Sequence, residues 1–532
     1  MAGKKGRLRR SLILLTVVTV TLSLVPACEG GRAGEPRGPD EPYRPQYHFT
    51  PVENWMNDPN GLVYDDGQFH LFYQHNPADT VWGPMHWGHA VGTDLVNWQH
   101  LPIALYPDDV GNIFSGSAVI DRENTAGFGA EAMVAVFTHE SGGRQMQSLA
   151  YSTDKGCTWT KFQGNPVIEP PGNMKNFRDP KVFWYDEGDD SGHWVMAVAA
   201  GTMILFYTSP NLLDWSPVSS FGIGYGAHQG VWETPDLFEL PVDGGPETRW
   251  MLAVAVAGGT PAGGTGAQYF VGDFDGQTFT SENPKETVLW VDYGADFYAQ
   301  QSWNNAPDER RIWVGWMNSW AYAEDIPTSS WRGALTLPRQ LALTETREGI
   351  RLLQQPVPEL ESLREEHWQW RDETVAAASA GLLEEVSGRT LEIIADFVVS
   401  ERTNAVRFGF RVRQGDGEET TVGYVTKGQT VFLDRSSSGQ VDFNPNFQGP
   451  SGPGIHTAPM RPVDGIVRLH IFVDRSSVEL FGNDGHIVIT DRIFPAPESS
   501  GVELFADDGQ VSLEALDVYA LDAATLLGQP DA

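Results

Sequence analysis

Cysteine and positive charge are both scarce in this sequence. Two cysteines in 532 residues exclude a disulfide framework, so stability must come from packing. Only 36 lysines and arginines stand against 70 aspartates and glutamates, and the formal net charge of −34 would repel nucleic-acid phosphates and anionic lipid head groups. Polyanions are therefore excluded as main partners, whereas neutral substrates remain open. The 18 tryptophans supply flat apolar faces on which sugar rings stack.

A hydrophobic run of membrane-spanning length is also missing. Residues 12–25 are apolar but short and rich in threonine, and five basic residues, a twin-arginine pair among them, precede them. Residues 1–27 are therefore predicted to be an export signal, by the general or the twin-arginine route. The segment ending at Cys28 resembles a bacterial lipoprotein cleavage box, which would make Cys28 a lipidated membrane tether, with simple cleavage and release as the alternative. Residues 28–46 are predicted to be a flexible tether.

Long helical patterns are scarce as well, and strand patterns dominate from Tyr47 onward. Short runs of β-branched and aromatic residues alternate with Asp-Gly, Gly-Asn and Asn-Pro turns, which predicts an all-β protein. A motif of an apolar pair, a Ser or Thr, a turn and an aromatic residue recurs about every sixty residues. Its aromatic residues are Trp98, Trp159, Trp215 and Phe279. This spacing accommodates a four-stranded sheet, and such sheets arranged radially form a propeller.

A second motif marks the start of each repeat. The five starts contain Asp58, Ser115, Asp179, Glu233 and Asp296. They predict a five-bladed β-propeller over residues 47–345. Because the first strand of each blade begins near the propeller axis, we expect the carboxylates of Asp58, Asp179 and Glu233 to converge in one central funnel.

The pattern changes after Pro338. Residues 346–360 have the composition of a linker, and residues 361–525 contain a further set of short alternating strands. Regular turns over this length predict a C-terminal β-sandwich as a second domain.

Three converging carboxylates permit acid–base and nucleophilic chemistry. Mutual repulsion raises the pKa of at least one of them, which can then remain protonated as a general acid while another stays ionised. Glycoside hydrolysis requires this combination, and in a retaining mechanism the ionised carboxylate attacks the anomeric carbon. The alternative is that an acidic residue beside a proline only holds a turn, but three acids at matching blade positions favour a catalytic set.

At these positions the sequence resembles glycoside hydrolase family 32, whose members cleave β-fructofuranosides. The three blocks that carry the resemblance are residues 55–61 (WMNDPNG), 177–180 (FRDP) and 232–236 (WETPD). Further similar blocks are residues 72–77, 82–90, 114–119, 292–299, 331–333 and, in the second domain, 473–481. The resemblance implies a five-bladed propeller followed by a β-sandwich, in agreement with the repeat count.

The resemblance also implies a role for individual residues. Asp58 would be the nucleophile, Glu233 the general acid and base, and Asp179 the residue that holds fructose hydroxyls and stabilises the transition state, kept ionised with the help of Arg178. Positions that would line the sugar pocket are Asn57, Gln74, Trp82, Phe114, Ser115 and Trp331. Trp82 and Trp331 could instead be core residues.

One position departs from the family pattern. The family usually has cysteine directly after the acid/base glutamate, and this chain has Thr234, whose hydroxyl could bond near Glu233 and change the pH optimum. The family chemistry needs no cofactor. The histidines of the first domain lack tight metal-ligand spacing, so no metal site is expected.

The function that the sequence favours first is that of an exported, exo-acting levanase or inulinase. Export supports a polymer substrate, since a polysaccharide too large to import must be cut outside the cell. Sucrose is expected to be cut too, because the pocket would hold the terminal fructose. An invertase and a fructosyltransferase, in which a sugar hydroxyl replaces water, are alternatives with the same site. An arabinan-cleaving propeller lacks the 55–61 block, and a fructan-binding surface lipoprotein has no need of both Asp58 and Glu233. The oligomeric state is left open.

Overall fold

The computed structural model describes residues 41–188, 191–379, 381–449 and 454–528. These residues form 34 strands and three short 3₁₀ helices, which confirms the all-β prediction. The helices are η1 (Pro307–Glu309), η2 (Pro358–Leu363) and η3 (Ala377–Ser379). Across these ranges no helix is long and apolar enough to cross a membrane. The predicted export signal and Cys28 lie outside the described residues.

Five antiparallel sheets form the N-terminal half of the chain. Blade one contains β1 (Asn54–Asp65), β2 (Gln68–Asn76), β3 (His86–Gly92) and β4 (Trp98–Leu105); blade two contains β5 (Asn112–Asp121), β6 (Ala132–Ser141), β7 (Arg144–Ser152) and β8 (Thr160–Lys161). Blade three contains β9 (Phe177–Gly188), β10 (Ser191–Ala200), β11 (Ile204–Ser209) and β12 (Ser216–Phe221). Blade four contains β13 (Trp232–Pro241), β14 (Thr248–Val256), β15 (Gly266–Phe274), β16 (Phe279–Ser281) and β17 (Leu289–Trp290). Blade five contains β18 (Tyr298–Ser302), β19 (Ile312–Trp316), β21 (Arg339–Thr346) and β22 (Gly349–Pro356).

The two sequence motifs mark opposite edges of the blades. The starts that contain Asp58, Ser115, Asp179 and Glu233 lie on the innermost strands β1, β5, β9 and β13, and the fifth start runs into β18. The recurring aromatic residues stand at the beginning of the outermost strands, as Trp98 does in β4 and Phe279 in β16. The repeat therefore spans one blade from edge to edge, and the prediction of a five-bladed propeller is confirmed.

The core of the propeller lies between neighbouring blades. The inner and middle strands present apolar side chains on both faces, so neighbouring sheets pack against each other. Between blades one and two, for example, Phe72 and Trp87 pack with Met133 and Phe137. Similar clusters lie between blades two and three, three and four, and four and five. This packing leaves the innermost strands around a common axis.

Each innermost strand has a β-bulge close to its start. The register shifts fall after Met56, Phe114, Arg178, Glu233 and Tyr298, at equivalent places in the five blades. A bulge leaves residues unpaired and turns their side chains, and proline is tolerated there because no ladder donor is needed. Pro59, Pro180 and Pro235 occupy these positions. The Asp-Pro motifs thus encode bulges that aim polar side chains toward the axis.

Two short strands from later in the chain extend the sheet of blade one at its two edges. The strand β20 (Trp331–Arg332) pairs in parallel with β1, and β34 (Leu526–Leu527) pairs in parallel with β4. The last strand of the described residues therefore covers the outer edge of blade one. Edge strands are otherwise open to pairing with other chains.

Two packed sheets form the C-terminal half. The first is β23 (Arg364–Ala376), β33 (Gln510–Leu521), β24 (Leu391–Val398), β29 (Ile466–Asp474), β30 (Ser477–Gly482) and β31 (Ile487–Arg492); the second is β28 (Ile455–Pro459), β27 (Thr430–Ser437), β26 (Glu419–Val425), β25 (Arg407–Gln414) and β32 (Gly501–Asp507). Their facing apolar side chains form one core, which confirms the predicted β-sandwich.

Two segments differ from the sequence-based expectation. Residues 349–356, placed in a linker, form β22, which pairs along its whole length with β21 as the outer strand of blade five. Residues 41–46, placed in a flexible tether, pack on the sandwich: the backbone N–H of Gln46 donates to Asp474 at 2.9 Å, and Tyr43 is buried. The partners of residues 41–46 are distant in sequence, so local composition does not reveal them. The strand β22, in contrast, forms a hairpin with the strand directly before it.

A buried ionic network joins the two halves. Glu479 of the sandwich accepts bonds from Arg339 of blade five at 2.7 Å and from the His48 ring at 2.9 Å, and His48 also bonds Asp474 at 2.8 Å. Asp296, at the fifth repeat start, pairs with Arg435 of the sandwich at 2.6 Å. Removing one partner from such a network leaves a buried charge uncompensated, at a cost of about 3–5 kcal/mol. The propeller and sandwich are therefore tightly coupled.

Candidate active site

The bulges of the innermost strands surround a cavity of about 400 Å³ at one end of the propeller axis. Nine residues predicted from the sequence line it: Asn57, Asp58, Gln74, Trp82, Phe114, Ser115, Arg178, Asp179 and Glu233. Five residues that sequence reasoning missed also line it: Glu140, Gln145, Asn176, Tyr298 and Trp320. The cavity thus combines carboxylates, amides and aromatic rings, which is the composition of a site for a neutral polyhydroxylated ligand.

Asp58 is held from both sides by hydrogen-bond donors. Asn57 donates to Oδ1 at 3.0 Å and the Ser115 hydroxyl donates to Oδ2 at 2.7 Å, while the Trp55 indole fixes Asn57 at 2.8 Å. Burial raises the pKa of Asp58 to about 6, the two hydrogen bonds oppose this shift, and the charge of Glu233 adds to it. Asp58 is therefore an oriented carboxylate that is mainly ionised above pH 6.

Glu233 receives hydrogen bonds at both carboxylate oxygens. Arg178 donates to Oε1 through Nε at 2.9 Å and through Nη2 at 2.6 Å, and the phenol of Tyr298 donates to Oε2. Burial and the neighbouring charge of Glu233 raise the pKa of Tyr298 well above its ordinary value, so the phenol keeps its proton. The carboxylate of Glu233, which belongs to blade four, is thus held by one residue of blade three and one residue of blade five.

Asp179 lies at the bulge of blade three with a left-handed backbone, at φ 65°. Its backbone N–H donates to Thr138 at 3.1 Å, and its carboxylate accepts from the backbone N–H of Thr234 at 3.0 Å. Left-handed geometry is unfavourable for a residue with a Cβ, and such outliers cluster at functional sites. Here it points the carboxylate into the cavity.

The protonation expected for Asp179 needs correction. Burial raises its pKa to about 8; the Arg178 charge opposes this, and the charges of Glu233 and Asp58 reinforce it. Arg178 approaches Asp179 only to 3.9 Å because its hydrogen bonds go to Glu233. Burial and the neighbouring carboxylates therefore favour the protonated form of Asp179 in the free protein, and the charge of Arg178 offsets them only in part.

Thr234 does not act through its hydroxyl. The residue is 1% exposed, and its Oγ1 has no hydrogen-bond partner among the described residues. Its contribution is the backbone N–H that binds Asp179, presented by a left-handed backbone at φ 44°. The expectation that the hydroxyl bonds near Glu233 is therefore wrong.

Trp331 does not line the cavity. It is 1% exposed and lies against the guanidinium groups of Arg44, at 4.8 Å, and of Arg492, at 5.9 Å. The tryptophan at the cavity is Trp320, which is 37% exposed and packs on Trp55 and Trp316. Trp82, at 42% exposed, also lines the cavity and stands beside Phe114. Two partly exposed indoles are therefore part of the cavity lining.

The remaining polar groups also favour an uncharged ligand. Gln74 Nε2 is buried at the cavity without a hydrogen-bond partner among the described residues, so it is a donor available to a ligand. No cluster of three or more His, Cys, Asp or Glu side chains in the described ranges could hold a metal ion. The site can orient a hydroxylated ring, attack it with a carboxylate, and supply or remove a proton at Glu233.

Comparisons with known proteins agree with this geometry. The family description "Glycosyl hydrolases family 32 N-terminal domain" matches residues 48–356, and "Glycosyl hydrolases family 32 C terminal" matches residues 359–520. The chain is 54% identical over 488 residues to a levanase of Bacillus subtilis (strain 168), a match that covers 91% of this chain and 71% of that protein.

Fungal proteins give a similar result. The chain is 41% identical over 497 residues to an extracellular exo-inulinase of Aspergillus ficuum, covering 86% of this chain and 91% of that protein. The crystal structure of an exo-inulinase from Aspergillus awamori superposes with a TM-score of 0.83 at 38% identity, covering 91% of this chain and 99% of the other. Since the two family domains together span almost all of the described residues, this chain belongs to glycosyl hydrolase family 32.

Proposed function

We propose that this protein is an exo-acting fructan hydrolase that releases fructose from the ends of β-fructofuranoside chains. The observation that carries the proposal is the convergence of Asp58, Asp179 and Glu233 in one cavity that is closed at its base. Beneath it, Lys181 bonds Asp236 at 3.0 Å and the Ser302 carbonyl at 2.9 Å, all buried on the axis. A cavity that is closed at its base accommodates the terminal unit of a chain, which supports exo cleavage.

In the first chemical step, Asp58 is the nucleophile. Its carboxylate attacks C2 of the terminal fructosyl unit and forms a covalent ester, while the bond from C2 to the glycosidic oxygen breaks. Glu233 transfers its proton to the departing oxygen, so the remaining chain leaves as an alcohol. The hydrogen bonds from Asn57 and Ser115 orient the attacking oxygen atoms.

In the second step, Glu233 acts as a base. It takes a proton from a water molecule, whose oxygen attacks C2, and the ester bond to Asp58 breaks to release fructose with its original configuration. Glu233 is then protonated again and ready for another cycle. Arg178 and Tyr298 hold its carboxylate in place in both steps.

Asp179 and the aromatic residues bind the sugar that reacts. The Asp179 carboxyl group lines the cavity, where it can hydrogen-bond ring hydroxyls and, when ionised, stabilise the positive charge that develops at C2. Trp82, Phe114 and Trp320 supply apolar faces for the carbon side of the rings.

The pH dependence of kcat/KM follows from the ionisation of Asp58. We expect kcat/KM to rise with pH through about 6, as the carboxylate of Asp58 ionises and becomes able to attack C2. Initial rates of fructose release from sucrose between pH 4 and 10 measure it. A profile that is flat from pH 4 to 10 would contradict this assignment.

The direct test is a timed chromatogram of the purified protein with levan, inulin and sucrose in separate reactions. Fructose as the first and only small product from a polymer supports exo hydrolysis, and the relative rates identify the preferred linkage. An early ladder of oligosaccharides would indicate endo cleavage or fructosyl transfer and overturn the exo proposal. Absence of product from all three substrates would overturn the hydrolase function.

Export and a membrane tether at Cys28 are a further part of the proposal. The export signal in residues 1–27 and the extracellular relative of Aspergillus ficuum support secretion. A lipid on Cys28 would be attached through the sulfur of that residue. Mass spectrometry of the mature protein decides between the tether and simple cleavage and release: a diacylglycerol adduct on Cys28 supports the tether, and its absence overturns it.

A further inference from the structure

A second and larger cavity lies at the opposite end of the propeller. It measures about 800 Å³ and takes its lining from the far ends of the same innermost strands that carry the catalytic residues. Asp179 and Trp184, for example, both belong to β9 and face different cavities. Five residues of extended strand separate them, which corresponds to about 16 Å.

The two cavities are separated by a solid axis. Besides the bonds of Lys181, the Asn304 amide donates to the carbonyls of Ala118 at 2.8 Å and Val182 at 3.1 Å, which ties blades two and three to blade five. These groups are buried between the two cavities, whose linings have no residue in common. The second cavity is therefore a separate site that the reaction described above does not use.

Aromatic side chains on both faces of β9 line this cavity. Trp184 is 41% exposed and stands edge-on to Trp194, whose indole is fixed by Thr125 at 2.9 Å. On the other face, Trp250 packs with Tyr185 at a centroid distance of 5.9 Å. Because the indole of Trp184 is held in place and still open to solvent, a ligand can stack on it with little loss of side-chain conformational entropy.

The polar side chains around these rings end in planar groups, and they include acidic, basic and uncharged ones. Asp186 and Glu239 are exposed carboxylates at the rim, Arg122 is an exposed guanidinium, and Asn305 is an exposed amide. Such groups can donate and accept bonds to hydroxyls in pairs. With acids in excess here and a net charge of −34 overall, the cavity suits a neutral polyol and disfavours an anion.

We propose that this cavity is a second binding site for the polysaccharide, with a fructan chain stacked on Trp184. This inference rests on the proposed function, because it takes its ligand from the substrate of the catalytic cavity. A site on the opposite end of the propeller cannot deliver a chain end directly, but it holds another part of a long polymer and keeps the enzyme near many ends. It therefore affects polymers and leaves short substrates unaffected.

The test uses Trp184→Ala, with Trp184→Phe as the conservative variant. Trp184→Ala is expected to raise KM for long levan or inulin about fivefold and to leave kcat/KM for sucrose within twofold of the parent; Trp184→Phe should recover most of the loss. Ile223→Ala is the control, because Ile223 is an apolar side chain, 68% exposed, that lines neither cavity. The kinetic constants of Ile223→Ala should equal those of the parent protein for both the polymer and sucrose.

Binding of the polymer is measured without turnover in variants that lack the nucleophile. In native gels that contain the polymer, Asp58→Asn should be retarded more strongly than the double variant Asp58→Asn with Trp184→Ala. Equal retardation, an unchanged polymer KM, or a loss that is equal for polymer and sucrose would overturn the second site. Failure of the proposed function is distinguishable, since the parent protein would then release no fructose from any substrate.

Discussion

Asp58→Asn is expected to reduce kcat for fructose release from sucrose or levan on the order of 10⁴-fold. The amide cannot form the covalent ester, although it has nearly the shape of the carboxylate. The fold should persist, because the hydroxyl of Ser115 can rotate to accept a bond from the new amide and Asn57 can still donate to its oxygen. Steady-state rates together with a thermal unfolding curve measure both effects.

Asp296→Asn is the matched control for this variant. Asp296 stands at the fifth repeat start, but it is buried and bonds Arg435 and the hydroxyl of Tyr322 instead of the cavity. Its replacement should lower the unfolding temperature and leave kcat of the folded protein within a few fold. If Asp58→Asn lost stability and kept its rate, and Asp296→Asn did the reverse, the assignment of the nucleophile would be wrong.

Glu233→Gln is expected to reduce kcat for fructans about 10³-fold, since acid–base groups typically contribute 10²–10⁴. The loss should be much smaller for an aryl β-fructofuranoside, whose leaving group needs no proton. Azide should then restore turnover, because it attacks the fructosyl ester without the help of a base and gives a fructosyl azide of retained configuration. Rates with and without azide, and the configuration of the product, measure this prediction.

Glu140→Gln is the control within the same cavity. Glu140 lines it as well, but its carboxylate accepts bonds from Asn112 at 3.2 Å and from the backbone N–H of Gly143 at 2.8 Å. We expect less than a tenfold change in kcat and no response to azide. An equal loss in both variants, or no azide response in Glu233→Gln, would exclude Glu233 as the acid and base.

The blade repeat could be predicted because the residues that mark its first and last strands recur from blade to blade. Proline after an acid marks the bulge near the axis, and an aromatic residue after a turn marks the outermost strand, so the sequence carries both edges of the sheet. The strand β22 was missed since its polar residues resemble a connector. It pairs with the strand directly before it, β21, in a hairpin with a two-residue turn, so the signal was local and could have been found.

Site residues could be predicted where the sequence offers one candidate for a role. They could not be predicted where two residues of the same type stand in similar sequence contexts. Trp320 and Trp331 both follow small polar residues, and only their distant partners distinguish them: Arg44 and Arg492 enclose Trp331. Tyr298 was missed because the fifth repeat start was aligned on Asp296. Aligning it on the bulge places Tyr298 at the position that Glu233 has in blade four, and this signal could have found it.

The pairing of β34 with β4 bears on the order in which the protein matures. Thr525 bonds Asn97 of blade one, and Gln46 bonds Asp474 of the sandwich, each across 428 residues of chain. The outer edge of blade one is therefore covered only after the sandwich domain has been made. A catalytic domain cut out after blade five would lack β34 and both acids that bind His48. Swapping sandwich domains between relatives should accordingly succeed only when the borrowed domain brings these contacts with it.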